Sequence, residues 1–265
     1  MSYKLYSITD LSVQNLSQWN GRSVSGEVNS CYNRTLAVVL EEFLTKPNMK
    51  ILEAGCGLGG WVQYLREKGH QVTGVEYESK VIEVVKAYDA SFPIEQDNVS
   101  GLRFSDNSFD VYISLGVIEH YEEGPQKILQ EAKRVLKTSG LAFITVPYLN
   151  IFRRFCVHPM RTIYLNLRRF MKKEDHFAEY RYTINELSSF LREFNFEIIK
   201  IDIDDYDLED RKHHMGIYTD FFFLRKKAGE VWELNILGKI FLKMVRFFSP
   251  WVFSCGVLIV ARNIK

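Results

Sequence analysis

Little in this chain ties it to a metal, an oxidising compartment or a membrane span. Its four cysteines, Cys31, Cys56, Cys156 and Cys255, are scattered with no Cys-x-x-Cys pair, so neither a zinc site nor a disulfide framework is expected. The one long apolar run, Phe247 to Ala261, is broken by Ser249, Pro250 and Ser254 and is short for a spanning helix. The opening MSYKLYSITD has no apolar core of the signal-peptide kind, so the cytoplasm is the expected compartment. Charge of either sign is not in excess: 34 Lys and Arg stand against 33 Asp and Glu, a net of +1. That balance speaks against a dedicated nucleic-acid binder and leaves only local basic patches to consider. No internal repeat or low-complexity tract is present.

What remains is an ordinary globular composition, 46% hydrophobic and 25% charged over 265 residues, enough for one large domain. Thr35–Leu44 reads as a helix ended by Pro47 and Asn48. A short strand near Ile51 leads into a glycine loop and a helix from Trp61 to Lys68, stopped by Gly69. Gln71–Glu76 is a strand, Ser79–Tyr88 an amphipathic helix, Ile94–Gln96 a weak strand and Phe109–Ser114 another. A helix from Pro125 to Lys137 and a strand from Leu141 to Tyr148 follow. Thr183 and Glu186 form a capping box that opens a helix to Phe194, and Phe196–Ile203 and Gly256–Arg262 are the last strands. Such alternation predicts an α/β fold of the Rossmann-like, doubly wound kind: a mostly parallel seven-stranded sheet with helices on both faces. Ligands of such sheets bind at the carboxyl ends of the strands, near the reversal of strand order.

The chemistry gathers around Met49–Gly60, MKILEAGCGLGG. Glycine lets a ligand lie against the main chain, and a helix N-terminus offers free N–H groups. The other reading is a glycine-rich turn with no ligand. Glu76 ends the next strand about twenty residues on, where an acid accepts from ribose hydroxyls. Gly55, Gly57 and Gly60 also satisfy Gly-x-Gly-x-x-Gly, which keeps an NAD(P)-dependent oxidoreductase open. Glu53 favours a different ligand, because an acid before the first glycine repels a pyrophosphate and suits a cation.

Taken together, Glu53-Ala-Gly-Cys-Gly-Leu-Gly59, Gly74-Val-Glu76, Asp97, Asp106-Asn-Ser-Phe-Asp110-Val-Tyr-Ile-Ser, Leu115-Gly-Val-Ile-Glu-His120 and Leu136-Lys-Thr-Ser-Gly140 resemble the class I S-adenosylmethionine-dependent methyltransferases. The resemblance covers roughly residues 49–148, in order and spacing. It implies S-adenosylmethionine as cofactor, with the backbone of Gly55, Cys56, Gly57 and Gly59 beneath the methionyl part. Glu76, with Tyr77 beside it, would meet the ribose; Asp97 and Asn98 would meet the adenine; Leu115 would line the pocket, and Asp110 would be structural. Two departures stand out: Glu53 where Asp is commoner, and Gly101-Leu-Arg103 where Leu-Pro is usual.

Methyl transfer from a sulfonium is an in-line displacement that rests mainly on positioning. A base is needed only where the acceptor is a hydroxyl. His120 and His176 are the candidates, each weighed against a framework role. No metal is expected: His213-His214 are adjacent and cannot face one site on regular structure. The run Asp202, Asp204, Asp205 and Asp207 lacks calcium-loop spacing and reads as solvated loop.

From Asn150 the chain becomes basic and aromatic, with Arg153, Arg154, Arg161, Arg168, Arg169, Lys172 and Lys173 and no acid before Glu174. A second basic amphipathic segment, Gly238–Phe248, places Lys239, Lys243 and Arg246 on one face. These segments suit an anionic or amphipathic acceptor, a phosphate or an anionic membrane surface; nucleic acid fits less well. The competing reading is a solvated helix with Arg stems over apolar surface. More loosely, Pro147-Tyr-Leu-Asn-Ile-Phe-Arg-Arg154 and the basic helix resemble methyltransferases of glycan and lipid assembly.

The organisation expected is one methyltransferase domain over 1–265: an N-terminal arm and helix (1–48), a cofactor-binding core (49–148), a basic aromatic insert acting as acceptor lid (149–182) and C-terminal helices and strands (183–265). The acceptor expected is a hydroxyl of a sugar, a lipid-linked glycan or a quinone-like compound. The alternatives are the NAD(P) oxidoreductase and a peripheral membrane module without catalysis.

Overall fold

The computed structural model describes residues 2–7, 21–171, 175–204, 222–228, 231–245, 247, 249–252 and 254–265. Lys172, Lys173, Glu174, Asp205, Asp207, His213, His214 and Arg246, singled out above, lie outside the described residues. In chain order, β1 (Tyr3–Ser7), α1 (Val24–Cys31) and α2 (Thr35–Phe43) precede β2 (Lys50–Ala54), α3 (Gly60–Glu67) and β3 (Gln71–Glu76). Then come α4 (Ser79–Tyr88), β4 (Ile94–Gln96), β5 (Phe109–Leu115), α5 (Gln126–Val135) and β6 (Leu136–Pro147). The rest comprises α6 (His158–Phe170), β7 (His176–Arg181), α7 (Ile184–Glu193), β8 (Phe196–Ile203), β9 (Arg225–Ala228), β10 (Val231–Leu234), α8 (Ile236–Val245) and β11 (Gly256–Asn263).

Seven strands form the main sheet in the order β4-β3-β2-β5-β6-β11-β8. Neighbours from β4 to β6 run parallel, and β11 lies antiparallel to both β6 and β8. Strand order reverses at β2, so β2, β3 and β5 part at their carboxyl ends and leave a crevice there. Alternating side chains feed two cores. Ile51, Ile113 and Phe143 face α1 to α4, with Val28, Leu40, Val62 and Val85. Leu52, Tyr112 and Ile144 face α5 and α7, with Leu129, Val135, Leu187 and Leu191. Each such Leu, Ile or Phe contributes about 1.5–3 kcal/mol through removal from water. Two covered faces explain the near-continuous apolar reading of β2 and β5.

Several elements differ from the sequence expectation. The helix expected to reach Lys137 stops at Val135, because Leu136 is drawn into register with Phe109 and β6 starts there. The strand continues through Lys137–Gly140, with Ser139 at φ 63°. The N-terminal arm is partly built structure: β1 pairs antiparallel with β7, and the Tyr3 ring stacks on His158 at 3.7 Å. α1 is capped by Ser23, whose hydroxyl accepts from Gly26 N–H at 3.1 Å, and it buries Val24, Val28 and Cys31. The capping box at Thr183 and Glu186 is present, with both reciprocal bonds made. Among the described residues, no helix is long and apolar enough to cross a membrane.

Candidate active site

The glycine loop leaves β2 at Ala54 and is fastened to β3 at once. The N–H groups of Gly55 and Cys56 both donate to the Val75 carbonyl, at 2.8 and 2.9 Å. Gly57 N–H then donates to Glu76 Oε2 at 2.9 Å, and Glu76 Oε1 accepts from the N–H groups of Tyr77 and Glu78. Gly55 sits at φ +82°, and a Cβ there would lie 2.5 Å from Val117 Cγ2. Gly59, at φ +74°, would bring a Cβ within 2.6 Å of the Phe92 ring. A side chain at either position is therefore opposed by backbone angle and by packing together.

Glu53 lies beneath this loop, 3% exposed. It takes a hydrogen bond from the Val62 main chain at the start of α3, yet its Oε2 is buried without a partner among the described residues. Burial pushes its carboxyl well above the ordinary range; the Val62 bond acts against this, and Glu76 adds to it. A buried carboxyl oxygen left unpaired is costly in the free protein and ready to meet a donor or a cation.

Above Glu53 opens a cavity of about 570 Å³, a size that holds a small cofactor together with part of an acceptor. Gly55, Cys56, Glu76, Tyr77, Leu115 and His120 line it, all from the sequence prediction. Gly57 and Gly59 sit in the same loop without lining it. Asp97 and Asn98 lie just past β4 and stop short of the wall, which Val99 and Tyr121 form instead. The Asp97 carboxylate is occupied by the N–H groups of Asn98 and Arg103, each at 2.9 Å. Asn98 Oδ1 accepts from the Tyr121 hydroxyl at 3.3 Å, so Asn98 supports the rim through Tyr121.

The two candidate bases separate. His120, in a 3-10 turn over Ile118–His120, lines the cavity, and its Nδ1 lies 2.8 Å from the Ala178 carbonyl oxygen. A carbonyl only accepts, so Nδ1 carries the proton and Nε2 is the lone-pair atom of the neutral ring. His176 is not brought to the cavity: it lies on β7 in register with Ser7 of β1. The β1–β7 ladder that holds it there was not expected.

One wall comes from the N-terminal segment, which the sequence leaves open as a frayed arm or a lid over a site and from which it names no site residue. Arg22, Glu27, Ser30, Cys31, Arg34 and Leu36 line the cavity from α1 and its flanks, whereas none of the described residues of 149–182 does. The N-terminal segment thus supplies a wall of the cavity to which the described part of the insert contributes nothing. Asp204, read as part of a solvated acidic loop, is a lining residue as well. Its position after β8, whose end pairs with β11, brings it there, and the register is invisible in an acidic run. Among the described lining residues, Glu27, Glu53, Glu76, Glu78 and Asp204 stand against Arg22 and Arg34, an excess of acid that favours a cation and opposes a pyrophosphate. Burial drives the Cys56 thiol well above its ordinary value, with Glu53 and Glu76 adding to the effect. Cys31 is raised too, by burial first. Both thiols stay protonated, so neither is a nucleophile.

A family model described as a methyltransferase domain matches residues 52–144. A probable S-adenosylmethionine-dependent methyltransferase of Mycobacterium tuberculosis is 31% identical over 119 residues, 44% of this chain and 43% of that protein. The ubiquinone biosynthesis O-methyltransferase of Haemophilus ducreyi is 27% identical over 105 residues, 36% of this chain and 44% of that one. The chain thus spans less than half the length of these curated relatives. A crystal structure described as a SAM-dependent methyltransferase of Methanosarcina mazei superposes with a TM-score of 0.56 at 18% identity, covering 85% of this chain and 97% of that one, which shows the fold.

Proposed function

We propose that this chain, a member of the class I S-adenosylmethionine-dependent methyltransferase family, binds S-adenosylmethionine in the cavity above β2, β3 and β5 and methylates a small-molecule hydroxyl. The observation that carries this reading is the buried, unpartnered Glu53 oxygen on the floor of an acid-rich cavity. A cationic ligand compensates such a group, and a pyrophosphate does not. The residues fit: Glu53 would meet positive charge, Gly55 would let the ligand lie against the main chain, and Glu76 would accept from the ribose. Leu115 would line the pocket. Asp97 and Asn98 would act on the adenine side through Val99 and Tyr121.

When bound, S-adenosylmethionine supplies an electrophilic methyl group on a sulfonium. His120 would take the proton of an acceptor hydroxyl at Nε2, while its Nδ1–H bond to Ala178 fixes the ring. The relative from Haemophilus, by its name a ubiquinone biosynthesis O-methyltransferase, supports a hydroxyl of a quinone-like compound as acceptor; a sugar or lipid-linked glycan hydroxyl is proposed on the sequence reading alone. The excess of acid around the cavity favours a neutral reacting end over an anionic one.

Calorimetric titration with S-adenosylhomocysteine tests the assignment. Micromolar binding by the wild type, weakened by Glu53→Gln, is the expected result. Absence of binding, or NADH binding in its place, would remove the reading. Transfer of labelled methyl to hydroxylated quinone and glycolipid acceptors, lost in His120→Gln with cofactor affinity kept, tests the base.

A further inference from the structure

Helix α6 is two-sided in a way a solvated helix is not. One side buries His158, Leu165 and Arg168. The other presents Met160, Ile163, Leu167 and Phe170, spaced by three, four and three residues, with Phe170 88% exposed. That spacing puts all four on one stripe. Helix α8 repeats the pattern: it buries Leu242 and exposes Ile236, Ile240 and Met244, with Phe247 91% exposed just beyond. The segment that leads into α6 meets α8: Phe152, six residues before α6, and Phe241 of α8 lie 6.5 Å apart in one small apolar cluster. Several large apolar side chains standing together in water mark a docking surface.

Charge chooses what covers it. From Asn150 to Met171, and through α8, the sequence holds no Asp or Glu. Arg154 stands exposed beside Phe155, and Lys239 and Lys243 stand exposed along α8. A second copy of the chain would set this basic face against itself, and like charges oppose that pairing. An anionic phospholipid surface satisfies both properties, taking the apolar stripe into its acyl boundary and the cations at its headgroups. The segment that leads into α6 is also bonded to the sheet that carries the site. Arg153, buried, donates to the carbonyls of Tyr148 and Cys255 at 3.0 and 2.9 Å, and Asn150 Nδ2 donates to the Ser254 carbonyl at 2.8 Å. These bonds tie the root of α6 to the end of β6, whose Thr145 lines the cavity.

We infer that the exposed faces of α6 and α8 form a docking surface for an anionic phospholipid bilayer, which the protein binds peripherally. The lipid contact stands independently of methyl transfer; only delivery of a lipid-borne acceptor to the cavity rests on that reading. The test is co-flotation of the full chain with vesicles of phosphatidylcholine alone or with phosphatidylglycerol added. Flotation only with phosphatidylglycerol is expected, weakened about tenfold by Lys239→Gln with Lys243→Gln. Ile163→Ser with Phe170→Ser should abolish it, while binding of S-adenosylhomocysteine, measured on the same preparations, stays intact. Since these side chains already face water, their loss leaves the core unchanged. Three results overturn the proposal: no flotation with either vesicle, flotation indifferent to the apolar substitutions, or self-association that the same substitutions dissolve. If cofactor binding fails while flotation holds, the methyltransferase reading falls and the docking surface stands.

Discussion

The N–H of Gly57 donates to Glu76 Oε2 at 2.9 Å, so the acid that ends β3 also holds the loop that ends β2. With Tyr77 and Glu78 N–H on the other oxygen, three of the roughly four acceptor positions of this carboxylate are filled. One is left for a ligand, and a second hydroxyl must displace a main-chain bond. Glu76→Ala should therefore weaken S-adenosylhomocysteine binding by about 1–3 kcal/mol and also loosen the loop. Calorimetry gives the first effect. Faster amide exchange at Gly57, Tyr77 and Glu78 in the ligand-free variant gives the second, and unchanged exchange would show that the three bonds restrain nothing.

Gly55→Ala separates backbone angle from packing. The φ of +82° and the 2.5 Å approach to Val117 Cγ2 act together, for an expected loss of about 2–3 kcal/mol in urea unfolding. Val117→Ala in the same chain removes the clash, and Val117→Ala alone gives the packing lost with those methyl groups, to be subtracted. So corrected, the double variant should recover part of the stability and leave about 1 kcal/mol, the cost of a left-handed angle for a residue with a Cβ.

Glu53 gives the site a pH signature. Its carboxyl, raised by burial, holds its proton at pH values where a free glutamate has lost it. A cationic ligand stabilises the carboxylate, so binding of S-adenosylmethionine should release a proton, and affinity should rise with pH between the ordinary carboxylate value and the raised one. The sign for stability is opposite. The folded, ligand-free protein binds more protons than the unfolded chain across that interval, so its stability falls as pH rises through it. Titration in buffers of different ionisation enthalpy should give different apparent enthalpies for the wild type and one value for Glu53→Gln. Equal values for the wild type would mean that Glu53 does not change protonation.

Local pattern carried the fold where it was self-sufficient. Gln71–Glu76, Ser79–Tyr88 and Phe196–Ile203 fall where periodicity put them, because each buries a face that its own alternation or helical spacing declares. Elements whose reason to exist lies far along the chain were not legible. β1 is half-polar and is a strand only because β7, more than 160 residues away, pairs with it. α1 carries Gly26, Asn29 and two serines, a weak helix by propensity, and is held by its cap and by contact with α3. The site divided the same way. Gly55, Glu53 and Glu76 announced themselves through the loop, whereas Arg34, Glu27 and Asp204 reach the cavity through tertiary packing that no spacing encodes.

The adjacent pair Arg168 and Arg169 shows what a basic run conceals. In sequence they are two equivalent members of a cationic segment. In the fold, Arg168 turns inward and its Nε meets Asp175 Oδ1 at 3.0 Å, with the Asp175 side chain only 2% exposed. Arg169 is half exposed and approaches Oδ2 at 3.6 Å, with its guanidinium 5.1 Å from the centre of the Tyr6 ring. Removing the inward partner leaves a buried carboxylate poorly compensated, and removing the outer one gives up a contact shared with water. Arg168→Ala should therefore lower the thermal midpoint clearly more than Arg169→Ala. Adding Asp175→Asn to Arg168→Ala should recover much of the loss, because the stranded charge is gone. Equal losses from the two arginines, or no recovery with Asp175→Asn, would mean that the pair does not fasten α6 to the start of β7.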